Sequence, residues 1–155
     1  MNKKLLTLCL PVRDGEVLLG MKKRGFGMGR WNGFGGKVEA SEIIEEAAKR
    51  ETFEEAEIAV EAMEPAGILE FEFEGDPVIL EVHIFRVTKF SGTPAETEEM
   101  KPEWYPNDAV PFKRMWPDDI HWFPLFFAGK TFRGKFLFGK GDIILEQHLE
   151  ESDLS

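Results

Sequence analysis

Glu51, Glu54 and Glu55 recur at the three- and four-residue spacing that places side chains along one edge of an α-helix. At ~100° per residue they share a side with Ile43, Ile44, Ala47 and Ala48, the stripe a surface helix turns toward a core. Ionised carboxylates continuing an apolar stripe are costly unless something positive meets them. The like-charge pair Glu51/Glu55 alone costs the helix about 0.2–0.5 kcal/mol. A hard divalent cation removes both penalties, and an all-oxygen donor set suits Mg²⁺ or Mn²⁺ rather than zinc. The alternative is a solvated acidic helix whose carboxylates face water.

The elements needed to position such a cluster follow from local pattern. The stretch 36–58 reads as one helix, entered through Gly35 and Gly36 and capped by Ser41. Upstream, 5–12 and 16–23 read as a hairpin turning at Arg13-Asp14-Gly15, followed by a glycine-rich loop at 25–29. Downstream, 58–60, 66–73 and 78–87 read as strands. The middle one alternates Leu69, Phe71 and Phe73 with glutamates, so one of its faces is wet. A polar loop at 91–97 leads to Glu99, and 101–111, with three prolines, reads as irregular. A second helix is expected at 120–128, ended by Gly129, and a closing hairpin at 132–138 and 143–149.

Composition bounds the function. A 155-residue chain with 43% hydrophobic and 31% charged residues reads as a single domain spanning 1–155. Its formal charge of −10 argues against a general nucleic-acid binder, which needs clustered Lys and Arg, but tolerates a small anion bridged by metal. The lone Cys9 fits a reducing, cytoplasmic setting. The apolar opening run meets Pro11, Arg13 and Asp14 without a small-residue cleavage site, and is read as a strand rather than a signal segment. No stretch approaches the ~18 apolar residues needed to span a bilayer.

Gly36, Glu42, Arg50-Glu51, Glu54-Glu55 and Ile58 together resemble the signature of the Nudix hydrolases, which cleave nucleoside diphosphates linked to another moiety. Two positions depart from it: Thr52 replaces an aliphatic residue, and Glu57 replaces a glycine that closes the helix in a left-handed conformation. Phe53, opposite the carboxylates, is unexpected and calls for cover by another segment or a partner. The resemblance implies an α/β fold, a mixed β-sheet flanked by helices as an α/β/α sandwich. It implies metal held by Glu51, Glu54, Glu55, Glu99 and the Gly35 carbonyl, with Arg50 orienting a neighbouring glutamate. GMKKRGFG at 20–27, GRWNGFGGKV at 29–38, and the MWPDD and WFPL runs at 115–125 are similar to family members of animals acting on oxidised purine nucleoside triphosphates. That likeness implies Mg²⁺-dependent release of pyrophosphate from 8-oxo-dGTP or 2-hydroxy-dATP by a monomer, with neither nucleic-acid polymer nor membrane as partner. It further implies that Asn32, Asp118 and Asp119 hydrogen-bond the purine, that Trp116 and Phe26 flank it, and that Thr7 and Phe71 line the pocket. Lys22, Phe34, Gly35, Gly36 and Lys37 complete the substrate-contacting set.

Each residue also has a plainer reading. Asp118 and Asp119 can cap a helix, Asn32 can form a turn, Phe34 can be core, and Lys22 can be a solvated strand end. Two rival functions stand beside the main one: hydrolysis of another nucleotide, such as a methylated dNTP, an ADP-sugar or a dinucleoside polyphosphate, and a catalytically silent nucleotide-binding module.

Overall fold

The computed structural model describes residues 2–154. In chain order it has β1 (Asn2–Arg13), β2 (Glu16–Lys22), β3 (Trp31–Asn32), α1 (Ile44–Ala56), β4 (Ala59–Phe73), β5 (Val78–Ser91), β6 (Met100–Pro106), α2 (Asp119–Phe127), β7 (Phe132–Phe138) and β8 (Ile144–Glu151). Short 3-10 turns lie at Phe112–Arg114 and Lys140–Asp142.

The sheet is mixed, in the order β3-β2-β1-β5-β4-β7-β8, with β6 also on β2. β1 runs parallel to β5 and β4 parallel to β7, while β4 and β5 form a long antiparallel pair. The expected β1–β2 hairpin exists, but the strands pair only at Val12↔Val17 and Arg13↔Glu16 before separating. Residues 34–37 occupy the edge of β1 that β2 leaves, through the bridges Cys9↔Phe34 and Leu6↔Lys37. This divergence opens the sheet where the candidate site lies.

Alternation along the strands builds two cores. Leu10, Val17, Leu19 and Ile84 pack with Trp122, Phe123 and Phe126 of α2. Their immediate neighbours Cys9, Leu18 and Phe85 belong to clusters that include Ala48 and Ala56 of α1. Period-two side chains thus place one helix on each face, and the expected α/β/α arrangement is found.

Several boundaries differ from the sequence reading. α1 begins at Ile44 rather than directly after a Ser41 cap, its N-cap is the extended residue Ile43, and Ser41 makes no cap bond. The preceding turn is instead closed by Glu42, which accepts from the Glu39 amide at 3.0 Å and from the Arg50 guanidinium at 2.7 and 2.8 Å. Ile43 therefore stays 58% exposed, while Ala47 and Ala48 are buried as expected. Glu57 does adopt the left-handed conformation (φ 59°, ψ 30°), so the helix exits as a glycine would have let it. Phe53 is exposed, with no described segment covering it. The strands expected at 58–60 and 66–73 are one bulged strand. The proline-rich 101–111 is not irregular throughout: β6 pairs antiparallel with β2 from Lys22↔Met100 to Glu16↔Pro106. β6 has an open outer edge, where prolines lacking an amide hydrogen are tolerated.

Candidate active site

A cavity of about 190 Å³ opens between the diverging strands and α2. Thr7 and Leu8 of β1, Asn32 of β3, Phe71 and Phe73 of β4, and Phe138 of β7 form its walls, with Asp118 and Asp119 at the start of α2. Trp116 and Phe26 flank its mouth, their rings 5.0 Å apart at 47°. The loop carrying Phe26 bends through left-handed Gly25, Gly27 and Gly29. A β-carbon at Gly27 would lie 3.3 Å from the Trp116 indole nitrogen, so the loop needs glycine there on both counts.

The two aspartates are each only 3% exposed. Asp118 accepts from the Trp122 indole N–H at 2.8 Å, whereas Asp119 Oδ2 has no hydrogen-bond partner among the described residues. Burial, the adjacent Asp118 charge and a hydrogen bond with Asp118 push the Asp119 carboxyl well above the usual range. Burial raises Asp118 too; the Trp122 donor opposes the shift in both acids, and their mutual hydrogen bond lowers Asp118 while raising Asp119. Two like charges this close in a dry wall do not both ionise. The shared proton is favoured on Asp119, the more strongly raised of the two, with Asp118 as its acceptor. Asn32 spends its carbonyl on the Gly33 amide (2.8 Å), which leaves its NH₂ available to a ligand. The cavity therefore carries a carboxylic acid donor, a carboxylate and an amide among aromatic walls, the equipment for reading the polar edge of a flat heterocycle.

At its other end the cavity reaches Lys22, Gly35, Gly36 and Glu55. Glu55 is 5% exposed, accepts the Gly35 amide at 2.8 Å, and is pushed up to about 7, chiefly by burial. The charges of Glu51 and Glu99 raise it further, while Lys22 opposes them. Thr97 ties the Glu99 loop to this end, donating to the Glu55 carbonyl at 3.1 Å and accepting from the Glu99 amide at 3.2 Å. A buried carboxylate with so little positive charge nearby, surrounded by further oxygen donors, is the environment a hard divalent cation fits.

The metal set is not preassembled. Among the described residues no three carboxylate, imidazole or thiol groups converge on one point. Arg50 bonds Glu51 at 2.9 Å and Glu54 at 3.4 Å, and Arg24 Nε bonds Glu99 at 3.0 Å. Mutual repulsion keeps the carboxylates apart, and the arginines take their charge.

Most expected ligand-contacting residues reach the cavity: Thr7, Lys22, Phe26, Asn32, Gly35, Gly36, Phe71, Trp116, Asp118 and Asp119. Phe34 does not. It is fully buried with Leu18, Ala56, Ile58 and Met100, because its backbone is bonded both ways to Cys9 and its ring points to the α1 side. Lys37 is exposed outside the cavity, and only its carbonyl is engaged, by Arg50. The sequence reading missed the apolar lining from Leu6, Leu69, Phe73, Val82, Met100 and Phe138. Only Leu69 and Phe73 carried a signal, since they share a strand face with Phe71.

The family model described as the NUDIX domain matches residues 3–126. A curated relative from Danio rerio named oxidized purine nucleoside triphosphate hydrolase is 53% identical over 150 residues, covering 97% of this chain and 96% of its own. The Mus musculus protein of the same name is 51% identical over 152 residues, covering 98% and 97%. Among solved structures, a MutT protein from Bacillus halodurans is similar at TM-score 0.84 and 30% identity, covering 95% of this chain and 97% of that one. The E. coli ORF135 protein is similar at TM-score 0.69 and 28% identity, covering 83% and 91%.

Proposed function

This chain belongs to the Nudix family, and from that premise we propose that it hydrolyses oxidised purine nucleoside triphosphates, 8-oxo-dGTP and 2-hydroxy-dATP, to monophosphate and pyrophosphate. The observation that carries the base assignment is the aspartate pair in the aromatic cavity, with one buried oxygen unpartnered. Asp119 donates to an acceptor on the oxidised base, Asp118 accepts from a donor, and Asn32 supplies a further N–H. Trp116 and Phe26 provide stacking worth about 1–3 kcal/mol per base. A pair able to exchange donor and acceptor roles suits two purines whose polar edges differ.

Members of this family need a divalent metal ion, here taken as Mg²⁺ with Mn²⁺ as a substitute. Glu51, Glu54, Glu55, Glu99 and the Gly35 carbonyl are the groups that would hold it. When bound, such a cation neutralises phosphate charge and acts as a Lewis acid toward hydrolysis. Arg50 releases Glu54 and keeps Glu51 oriented, and Lys22, between base and acidic ends, meets the phosphates. Residues 1–155 work as one Nudix domain, as a cytoplasmic monomer acting on free nucleotides. No helix among the described residues is long and apolar enough to cross a membrane.

The deciding measurement is kcat/KM for 8-oxo-dGTP, 2-hydroxy-dATP and unmodified dGTP, with a methylated dNTP and an ADP-sugar beside them. The reading requires the oxidised purines to lead. Equal or faster turnover of dGTP or of an ADP-sugar overturns it, and binding of 8-oxo-dGMP without metal-dependent pyrophosphate release points to a silent binding module.

A further inference from the structure

We infer that Arg30 is a positioning residue for base recognition, clamping the outer face of Trp116 while Asp142 anchors the guanidinium from the β7–β8 turn. The inference rests on the base assignment above, which gives Trp116 its stacking role.

Trp116 is a wall between two spaces. One of its sides borders the base cavity, which Arg30 does not line. The other borders a separate groove, lined also by Arg30 and Asp142. In that groove the Arg30 guanidinium carbon sits 4.0 Å above the indole centroid, a distance at which cation and ring quadrupole attract. Arg30 lines no part of the base cavity and touches the tryptophan from behind; its other link to the base site is its charge, the smallest of the influences on Asp119, which favours that carboxylate. Trp116 itself makes no side-chain hydrogen bond among the described residues. What sets its plane is packing: Phe26 at 5.0 Å, Phe138 at 5.8 Å, Phe73 at 6.2 Å, and Arg30 across its outer face.

Arg30 is itself fixed from two directions. Its backbone closes the glycine loop, donating to the Gly27 carbonyl and accepting from the Lys22 amide, each at 3.0 Å. Its side chain meets Asp142 Oδ2 at 3.0 Å. That aspartate stands at φ 60°, after Gly141 at φ 74°, in a turn closed by the Gly139 amide on the Ile143 carbonyl. Aspartate tolerates this left-handed conformation better than most residues, and the turn aims its carboxylate across at Arg30. The clamp joins three segments remote in sequence, and of its three residues Trp116 alone lines the base cavity.

The test compares Arg30→Ala, Arg30→Lys and Asp142→Asn, each alone and in a Trp116→Ala background. Loss of a cation–π contact and its anchor should raise KM for 8-oxo-dGTP by about three- to tenfold, with kcat changed less than about twofold. Arg30→Lys should recover part of the loss, and Asp142→Asn should show a smaller rise in the same direction. In the Trp116→Ala background Arg30→Ala should add less than about twofold, because its main effect passes through the ring and only its charge on Asp119 remains. Fluorine NMR of 5-fluorotryptophan protein, with the Trp116 signal assigned by Trp116→Phe, should show that signal shifted or broadened in Arg30→Ala while those of Trp104 and Trp122 hold. A fall in kcat at constant KM, an equal Arg30→Ala penalty without Trp116, or an unmoved Trp116 signal overturns the inference. If the parent protein does not turn over oxidised purines the base assignment fails, and the NMR arm still decides whether Arg30 holds the ring.

Discussion

Glu55 and Asp119 are both buried acids with raised proton affinity, yet their surroundings direct them to different work. Glu55 sits among Glu51, Glu99 and Lys22, and its proposed role is to share a cation. Glu55→Gln should lower turnover by at least ~100-fold, since loss of even an outer partner of a metal ligand typically costs 10- to 100-fold. Calorimetric affinity for 8-oxo-dGMP should barely change; undiminished hydrolysis would remove Glu55 from the metal set. Asp119 faces aromatic rings and its neighbour Asp118, and holds a proton. Its folded pKa lies above its unfolded one, so the stability it contributes is complete below about pH 3.9, the ordinary aspartate value, and is lost as pH rises through the raised folded value. Asp119→Asn, a permanent neutral donor, should flatten that part of the Tm-against-pH curve. It should also change the ratio of 8-oxo-dGTP to 2-hydroxy-dATP turnover. Identical pH curves and an unchanged ratio would show that Asp119 is not the protonated partner.

At the scale of the element, α1 and its approach are held by backbone conformation and close contact. Glu57 closes the helix in a left-handed shape that glycine takes without penalty. Glu57→Gly should therefore stabilise the protein by about 1 kcal/mol, or roughly 2–4 °C in Tm at this chain length. A lower Tm would mean that the Glu57 side chain stabilises the turn in some other way. The glycines before α1 separate fold from function. A β-carbon at Gly35 would stand 1.8 Å from the Thr7 carbonyl oxygen, whereas one at Gly36 would meet the Glu51 carboxyl carbon at 2.6 Å. Gly35→Ala must push backbone off β1 and should cost several kcal/mol, read in urea unfolding. Gly36→Ala has only to displace a side-chain end, so activity should fall with Tm nearly constant.

Across the whole molecule, the acidic end is electrostatically unfinished: Arg50 and Arg24 hold carboxylates that a cation would draw together. A ligand that binds only the folded state stabilises it by mass action. Millimolar Mg²⁺ at pH 8 should raise Tm, and Glu55→Gln should blunt the rise. Ca²⁺ accepts the same oxygens with looser geometry and separates binding from catalysis in the same experiment. No Tm response to any divalent ion would contradict the proposed cage.

The acidic edge of α1, the wet alternation of β4 and the start of α2 were legible in sequence, because helix and strand periods are local and each side chain's direction follows from a few neighbours. The left-handed glycine loop was legible for the same reason. Two things near α1 were not. The helix starts after Glu42, whose carboxylate is engaged by Arg50 eight residues away rather than leaving the turn to a Ser41 cap. Phe34 turns into the α1 core while Asn32, close by in the same segment, enters the cavity, because bridges to β1 set which face each meets. β6 was not legible because its partner is remote in sequence: it pairs along the edge of β2 opposite β1, while β3 takes the edge that β1 leaves. Sequence determined which groups could bind a cation and read a base. Tertiary structure decided that Glu55 and the base-reading groups border one cavity, that the two aspartates are buried together, and that Arg30 lies behind the tryptophan, because burial and cross-chain distance arise only when strands remote in the chain are brought side by side.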